Sequence, residues 1–325
     1  MERVDEQAAS IGSLQECISQ IALPTHPMIG GPMEENQPQE AWTIGRIIAW
    51  ASADFQKRKI ESPRLEVELL LCHLLGIDRV KLLLEHHRPL DQTELAAFKS
   101  LLTRRRQGEP SAYLLGEKEF YGHLFKVDDR VLIPRPDTEI LVDVILEKTA
   151  HRKLDGRALD LCTGSGCIAI SFAKERPTWR ITGTDKDPEV LQLAQENALR
   201  LGAAWGLHWY EGDLFQALPE GSKFEVIASN PPYIPPKEIE LLQTEVKDFE
   251  PRLALDGGED GLEFYRKISR SASTYLVRGG VIALEVGAGQ ADDVSELLEK
   301  AGFQQVEKYR DYGGHERVVC ARALS

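Results

Sequence analysis

Between residues 41 and 110, apolar side chains recur every three or four positions, which is the spacing of amphipathic helices. The first stripe covers residues 44–51. A second helix is predicted over residues 62–76, with a serine as its N-cap and a proline in its first turn. A third helix is predicted over residues 91–106. Together these patterns predict a small helical bundle.

Two features at the ends of this bundle carry no catalytic motif. Residues 1–40 are rich in prolines, glycines and polar side chains, and we expect a flexible extension with at most a short helix over residues 11–21. The bundle ends in three arginines, Arg104, Arg105 and Arg106. A solvent-exposed helix end suits them, because positive charge complements the helix dipole. A contact surface for a macromolecular substrate is the alternative.

Residues 111–135 connect the bundle to the rest of the chain. Apolar and polar positions alternate around a glycine over residues 119–127, which predicts a β-hairpin. A proline-rich segment follows, in which Asp137 or Thr138 is expected to cap a helix that extends to Leu146.

From residue 157 onward, short apolar runs alternate with amphipathic stretches. The apolar runs predict strands over residues 158–162, 179–184, 207–211, 224–229, 280–286, 305–310 and 317–321. The amphipathic stretches predict helices over residues 168–174, 188–201, 262–275 and 291–301. Strands and helices that alternate in this way form a mostly parallel sheet with helices on both faces, so the predicted fold class is α/β.

A glycine-rich turn, Asp160-Leu-Cys-Thr-Gly-Ser-Gly166, joins the first of these strands to a helix. Gly164 and Gly166 allow a ligand to approach the backbone closely. Dinucleotide-binding folds share turns of this kind, so the glycines alone are a weak signal. Asp160 sharpens the prediction, because a carboxylate at the strand end suits a cationic amino group and fits poorly beside a pyrophosphate.

Acidic residues also follow the next two strands. Asp185 ends the second strand, where a carboxylate suits a ribose diol, and Asp213 follows the third, where it suits an adenine amino group. Three acidic strand ends around one crevice predict S-adenosylmethionine, which has these groups and no phosphate. The predicted cofactor site comprises Asp160, Cys162, Thr163, Gly164, Ser165, Gly166, Asp185, Asp213, Leu214 and Asn230.

The fourth strand leads directly into Asn230-Pro231-Pro232-Tyr233, at an edge where ligands bind in open α/β sheets. The Asn230 side-chain carbonyl and the Pro231 backbone carbonyl can accept both hydrogens of a substrate NH₂ group. Tyr233 offers an aromatic face to a planar group. These four residues are the predicted catalytic residues, and they predict methylation of a planar nitrogen by direct in-line displacement.

The composition narrows the class of protein. The chain has 325 residues, of which 42% are hydrophobic and 28% charged, as expected for a soluble protein of about two domains. No apolar run reaches the length of a membrane span, and no secretory signal is recognisable. The five cysteines form no CxxC pair, which predicts neither a metal site nor disulfides and favours the reducing cytoplasm.

The charge distribution bears on the substrate. The net charge is −13, with a small basic excess over residues 41–110 and a large acidic excess over residues 111–325. An acidic catalytic region is a poor general binder of duplex DNA, because phosphate neutralisation provides most non-specific affinity. Nucleic acid is therefore disfavoured as the direct substrate.

From about residue 42 to residue 323, the chain resembles the PrmC/HemK family of peptide chain release factor glutamine methyltransferases. The motifs that carry the resemblance are Gly116-Glu-Lys-Glu-Phe-Tyr121, Pro134-Arg-Pro-Asp-Thr-Glu139, the turn from Asp160 to Gly166, Ser229-Asn-Pro-Pro-Tyr233, Phe249-Glu-Pro-Arg-Leu-Ala-Leu-Asp-Gly-Gly258 and Arg310-Asp-Tyr-Gly-Gly-His-Glu-Arg-Val318. Asn-Pro-Pro-Tyr is shared with adenine and guanine amino methyltransferases, so it is specific for the chemistry only. Cys162 stands where the family motif has its first glycine, and residues 1–40 extend beyond the pattern.

The resemblance implies a Rossmann-like class I methyltransferase domain with a seven-stranded sheet over residues 136–325, preceded by the hairpin linker. It implies S-adenosylmethionine as cofactor and, as substrate, the Gln of the Gly-Gly-Gln motif in class 1 release factors. The helical bundle over residues 41–110 is then expected to grip the release factor. Phe120 and Arg135 are expected to contact the substrate together with Asn230 to Tyr233, and Arg135 is expected to brace the loops.

Two alternatives remain at this point. An amino methyltransferase that acts on adenine or guanine in nucleic acid would share the Asn-Pro-Pro-Tyr motif, but it would need a basic channel and a means of flipping a base. A non-catalytic binding protein that retains the fold would be expected to carry degraded motifs, and these motifs are intact.

Overall fold

The computed structural model describes residues 41–152 and 154–324. The extension predicted for residues 1–40, including the helix predicted over residues 11–21, lies outside the described residues. The chain divides into two units, Met1–Ala41 and Trp42–Ser325, and the elements below belong to the second.

The N-terminal part of this unit is helical, as predicted. Its helices are α1 (Ile44–Lys57), α2 (Pro63–Leu75), α3 (Arg79–Leu84), α4 (Gln92–Arg106) and α5 (Ser111–Leu115). The apolar stripe of α1 packs against α2 and α4 in one core that includes Ile47, Phe55 and Leu70. The short helix α3 escaped prediction, because six residues hold too few apolar positions to show a period.

The helix ends follow from local chemistry, with one correction. Asp91 caps α4 in a capping box with Glu94, and Gly76 ends α2 in a left-handed conformation. Ser62 is also left-handed, and its side chain makes no capping hydrogen bond. The predicted N-cap role of Ser62 is therefore wrong, and the proline at the first helical position starts α2 without it.

Two of the three arginines at the end of α4, Arg105 and Arg106, are not solvent-exposed. Arg105 is 4% exposed, and its guanidinium donates to Glu66 Oε2 at 2.9 Å and to Glu245 Oε1 at 2.6 Å. Arg106 donates to Asp54 at 2.8 Å. Arg105 is therefore neither a solvent-exposed helix end nor a contact surface for a substrate, because its guanidinium is buried and paired with two glutamates. It joins the bundle to the catalytic part of the chain.

This buried joint gives a stability prediction with a control in the same triplet. Replacing Arg105 with alanine leaves Glu66 and Glu245 without a counter-charge, which is expected to destabilise the protein by about 3–5 kcal/mol. Arg104 pairs with Glu109 near the surface, so Arg104→Ala is expected to change stability by about 1 kcal/mol or less. Urea unfolding of both variants measures the difference. Equal effects would show that Arg105 is not a structural joint.

The linker forms the predicted hairpin from β1 (Glu117–Phe120) and β2 (His123–Lys126). The Asn197 side chain accepts a hydrogen bond from the Lys126 N–H at 2.7 Å and donates to the carbonyls of Lys126 and Ser165. This buried amide ties the hairpin to the glycine-rich turn, which fixes both against the same helix.

The remaining residues form the predicted α/β domain. Its strands are β3 (Arg157–Leu161), β4 (Arg180–Asp185), β5 (Leu207–Glu211), β6 (Phe224–Ser229), β7 (Leu276–Glu285), β8 (Gln304–Arg310) and β9 (Glu316–Arg322). Its helices are α6 (Glu139–Lys148), α7 (Cys167–Glu175), α8 (Pro188–Arg200), α9 (Pro236–Ile239), α10 (Thr244–Lys247), α11 (Glu263–Tyr275) and α12 (Ala291–Lys300). Every strand predicted after residue 157 is confirmed, although β7 begins four residues earlier than predicted.

The sheet has the order β5-β4-β3-β6-β7-β9-β8, with parallel pairing except where β9 contacts β7 and β8. The predicted α/β fold with a seven-stranded, mostly parallel sheet is confirmed. The chain moves outward from β3 to β5 and then returns to place β6 on the other side of β3. Ligands of open α/β sheets bind at such a switch point, beyond the carboxyl ends of the strands.

One predicted cap in this domain is wrong. Residues Pro136–Thr138 form a turn of 3₁₀ helix before α6, and neither Asp137 nor Thr138 caps α6 with its side chain. Both side chains are instead engaged elsewhere: Asp137 pairs with Arg317 at 3.1 Å, and the Thr138 hydroxyl accepts from Asn230 at 3.2 Å.

Among the described residues, no helix is both long and apolar enough to cross a membrane.

Candidate active site

Asp160 lies inside the protein at the switch point, on the fully buried end of β3. It is 2% exposed, and its Oδ2 accepts hydrogen bonds from the Thr163 hydroxyl at 2.5 Å and from the Ala169 N–H at 3.2 Å. Its Oδ1 has no partner among the described residues. Burial, together with the nearby Asp185 carboxylate, raises the pKa of Asp160 to about 7. A buried, half-satisfied carboxyl group of this kind is suited to a cationic ligand group.

The glycine-rich turn adopts the conformation that its glycines permit. Gly164 and Gly166 both have a left-handed backbone, as does Cys162, which has φ 57°. The Gly164 N–H donates to Asp185 Oδ2 at 3.0 Å, and the Thr163 N–H donates to the Thr184 carbonyl at 2.9 Å. These bonds hold the turn across the ends of β3 and β4. Burial raises the pKa of the Cys162 thiol, so this side chain is a poor nucleophile.

Asp185 and Asp213 lie at the same edge of the sheet. Asp185 ends β4 beside β3, and the Asp187 N–H donates to its second carboxyl oxygen at 3.3 Å. Burial raises the pKa of Asp185. Asp213 follows β5 and precedes a 3₁₀ turn that starts at Leu214, which is buried and has φ 52°. The structure therefore places the three predicted acidic strand ends in the predicted order, on successive strands of the sheet.

The segment Asn230 to Tyr233 follows the last residue of β6, which pairs with β3, the strand that carries Asp160. The register pairs Asp160 with Ala228 and Leu161 with Ser229, and the Ser229 hydroxyl donates to the Leu161 carbonyl at 2.7 Å. The Asn230 Nδ2 donates to the Thr138 hydroxyl oxygen at 3.2 Å. Since the amide nitrogen is engaged, the Asn230 carbonyl oxygen is the end left to accept a hydrogen bond from a ligand.

The backbone next to Tyr233 is held by hydrogen bonds to residues 255–257. The Ile234 N–H donates to the Leu255 carbonyl at 2.9 Å, and the Gly257 N–H donates to the Ile234 carbonyl at 3.0 Å. A side chain at position 257 would come within 2.5 Å of the Tyr233 Cα, so only glycine allows this contact. Gln290 donates to the Tyr233 carbonyl at 2.9 Å. Pro231 and Pro232 are buried, which makes the loop rigid.

Phe120 and Arg135, which are predicted to contact the substrate, differ in their exposure and their contacts. Phe120 is 1% exposed and packs edge-on against Phe125 in the core, so it presents almost no surface to a substrate. Arg135 is half-buried and pairs with Glu250, whose second carboxyl oxygen accepts from the Ile133 N–H at 3.4 Å. Arg135 thus joins the proline-rich segment to the loop after α10. Substrate contact by either residue stays a prediction.

Comparison with known proteins identifies the family. Residues 46–116 match the PrmC N-terminal domain, and residues 136–258 match the Methyltransferase small domain. The release factor glutamine methyltransferase of Geobacter sulfurreducens is 44% identical over 87% of this chain and 98% of its own length. Its counterparts in Vibrio cholerae and Chlorobaculum tepidum are 43% and 40% identical, over 86% and 88% of this chain and 96% and 99% of their own lengths.

The chain belongs to the release factor glutamine methyltransferase family. The predicted resemblance is confirmed, and with it the assignment of the chain to an enzyme family of methyltransferases. The match to the PrmC N-terminal domain falls on helices α1 to α5, and the match to the Methyltransferase small domain includes both the glycine-rich turn and Asn230 to Tyr233.

Sequence reasoning missed a group of side chains in this methyltransferase that surround Asn230. They are Thr138, Glu285 and Arg317. Glu285 is 2% exposed and ends the apolar strand β7, just as Asp160 ends the apolar strand β3. An acidic residue that closes a fully buried strand was therefore the signal that pointed to Glu285. Thr138 and Arg317 were hidden, because a turn and the antiparallel strand β9 bring them in from distant parts of the sequence.

Proposed function

We propose that this protein transfers a methyl group from S-adenosylmethionine to the side-chain amide nitrogen of the Gln in the Gly-Gly-Gln motif of class 1 peptide chain release factors. The observation that carries the proposal is the position of Asn230, which follows β6 at the switch point, next to the strand that carries Asp160, and has its amide nitrogen already engaged by Thr138. The names of the relatives support the substrate class.

The residues at the edge of the sheet fit the cofactor. The unpartnered Oδ1 of Asp160 is a buried acceptor that suits its cationic amino group. Asp185 and Asp213, on the next two strands, suit the ribose and the adenine. The left-handed turn at Gly164 leaves open space above the backbone. When bound, S-adenosylmethionine supplies an electrophilic methyl group on a sulfonium sulfur.

The chain's own contribution to the chemistry is to position the acceptor nitrogen. An amide nitrogen is a poor nucleophile, because its lone pair is delocalised into the carbonyl group. If the Asn230 and Pro231 carbonyl oxygens accept both N–H groups, they favour the positive charge that develops on nitrogen during transfer. Such a gain appears mainly in the transition state. The rigid, buried prolines keep both acceptors in place, and Tyr233 adds an aromatic face.

The bundle over residues 41–110 is proposed as the part that recognises the release factor. Its connection to the catalytic domain through Arg105 and Glu245 is buried, so a protein held by the bundle is held in a fixed relation to the loop after Tyr233. A fixed relation of this kind allows binding energy from a distant contact to orient the reacting group. We also place the enzyme in the cytoplasm, where release factors act.

The test is an incubation of the protein with S-adenosylmethionine carrying a labelled methyl group, and with either a class 1 release factor or total nucleic acid. Mass spectrometry of the Gly-Gly-Gln peptide is expected to show one added methyl group on Gln. Label in RNA or DNA alone would overturn the proposal in favour of a nucleobase methyltransferase. Cofactor binding by calorimetry without label in any acceptor would favour a non-catalytic binding protein.

A further inference from the structure

Glu285 is a buried carboxyl group whose position the backbone sets beside Asn230. Strands β6 and β7 are parallel neighbours, and their register pairs Ser229 with Leu284. The next residue of each strand is therefore Asn230 on one side and Glu285 on the other, at the same edge of the sheet. Neither the predicted catalytic set nor the predicted cofactor set includes this carboxyl group.

The surroundings of Glu285 explain why its pKa is raised. The pKa of Glu285 is raised to about 7, mainly by burial and in part by Asp137, against the lowering effect of the Thr138 hydroxyl, Arg317 and the Asn230 amide. Its Oε2 has no partner among the described residues. The charged and titratable groups that face it are Asp137, Arg317, Tyr233, Tyr265 and Cys167. Arg317 is engaged with Asp137 and Asp311, so it does not neutralise Glu285 alone.

A carboxylate can only accept hydrogen bonds, and this fixes the direction of the hydrogen bonds among Glu285, Thr138 and Asn230. When Glu285 accepts from the Thr138 hydroxyl proton, the Thr138 oxygen is left as an acceptor for the Asn230 Nδ2. The amide nitrogen of Asn230 then faces Thr138 and Glu285, and its carbonyl oxygen faces away from them. A reversed amide would place donors against the donors of a substrate NH₂ group, and no hydrogen bond would form.

We propose that Glu285 is a positioning residue that acts with Thr138 to keep the Asn230 carbonyl oxygen directed at the substrate nitrogen. The inference deepens the proposed function and rests on it, because the acceptor nitrogen is the group that this orientation serves. Glu285 itself is not a catalytic residue, since it acts through Asn230.

The first test is kinetic and uses isosteric variants. Glu285→Gln introduces an amide that can donate to a reversed Asn230, and Thr138→Val removes the connecting hydroxyl. Each is expected to lower kcat about 10- to 100-fold on a release factor, with the Kd for S-adenosylmethionine unchanged. The double variant is expected to lose no more than the larger single loss, because both changes break the same chain of hydrogen bonds.

Matched controls exist for both substitutions. Thr149→Val removes a buried hydroxyl that donates to the Ile145 carbonyl, and Glu225→Gln changes a carboxylate near the start of β6, at the opposite edge of the sheet. Both controls are expected to keep the wild-type kcat.

The pH dependence of kcat gives a further test. At saturating cofactor, kcat of the wild type is expected to fall as the pH drops below 7, and this fall is expected to be absent in Glu285→Gln.

A second measurement needs no substrate, so it separates this inference from the proposed function. The side-chain NH₂ signals of ¹⁵N-labelled Asn230, assigned with Asn230→Ala, are expected to shift with pH near 7 in the wild type and to stay constant in Glu285→Gln. If the wild type methylates no release factor, the proposed function fails, and these signals still decide the orientation role. Signals that are independent of pH in the wild type, or unchanged by Glu285→Gln, would overturn it even if kcat fell.

Discussion

Replacing Asn230 with alanine is expected to lower kcat for release factor methylation about 100- to 1,000-fold while the Kd for S-adenosylmethionine stays the same. The loss corresponds to one preorganised hydrogen-bonding group that acts mainly in the transition state. Asn230 is half-buried at the end of β6, and its side chain bonds to Thr138 and lies beside Glu285 rather than in the core of the sheet. The fold and the glycine-rich turn should therefore survive its removal.

The measurement pairs single-turnover methylation with calorimetric titration of the cofactor. Ser229→Ala, at the last residue of β6, is the matched control, because its hydroxyl donates to the Leu161 carbonyl and points back at the sheet. We expect it to cost about 1 kcal/mol of stability, with little effect on kcat. Full turnover in Asn230→Ala would show that the amide carbonyl does not orient the acceptor nitrogen.

Asp160→Asn is expected to weaken S-adenosylmethionine binding about 100-fold or more, because it removes the buried charge that we propose binds the cationic amino group. In the wild type, affinity should also fall as the pH drops below 7, since the carboxyl group without ligand has a pKa of about 7 and a protonated group carries no charge. The Kd of the variant should not show this dependence. Calorimetric titrations between pH 5.5 and pH 8.5 would measure both effects.

The same substitution is expected to stabilise the protein without ligand above pH 7. The pKa of Asp160 rises from an ordinary 3.8 to about 7 on folding, so the folded protein binds more protons than the unfolded chain between those values. Stability therefore declines as the pH rises through this window, and Asp160→Asn removes the decline. Its Tm should exceed that of the wild type at pH 8 and converge with it near pH 4.

Asp187→Asn is a control two residues beyond the site. Asp187 caps α8 by accepting from the Glu189 N–H at 2.9 Å, so its loss affects the helix and not the cofactor. We expect a stability change of about 1 kcal/mol or less and an unchanged Kd. A Tm of Asp160→Asn below that of the wild type at pH 8 would mean that the carboxylate is well solvated or paired, contrary to its buried position.

Buried carboxyl groups at two strand ends connect fold and chemistry in this enzyme. Asp160 and Glu285 both have their pKa raised to about 7 by burial, and each keeps one carboxyl oxygen without a partner among the described residues. Each destabilises the ligand-free protein in its ionised form, as expected where a polar group serves binding rather than folding. The two sites differ in their proposed roles, because we propose that Asp160 binds the cofactor and that Glu285 orients Asn230.

The sequence by itself predicted the strands of the sheet, the longer helices and the residues proposed for the main site. The alternating apolar runs after residue 157 predict all the strands, because a doubly covered sheet requires continuous apolar segments whatever their order. The acidic strand ends and Asn230 follow from the same logic, since the carboxyl ends of parallel strands meet at one edge. The start of the helix at Asp91 is equally local and is also predicted correctly.

Only the tertiary structure decided how side chains from distant segments pair. Arg105 reads as a helix-end cation, but Glu66 and Glu245, which surround it, come from 39 and 140 residues away. Thr138 reads as a helix cap, yet its hydroxyl accepts from Asn230 across 92 residues. Periodicity and capping rules describe contacts within a few residues, and they contain no information about which turn will face which strand end. The orientation of Asn230, on which the proposed chemistry rests, is set by contacts of that second kind.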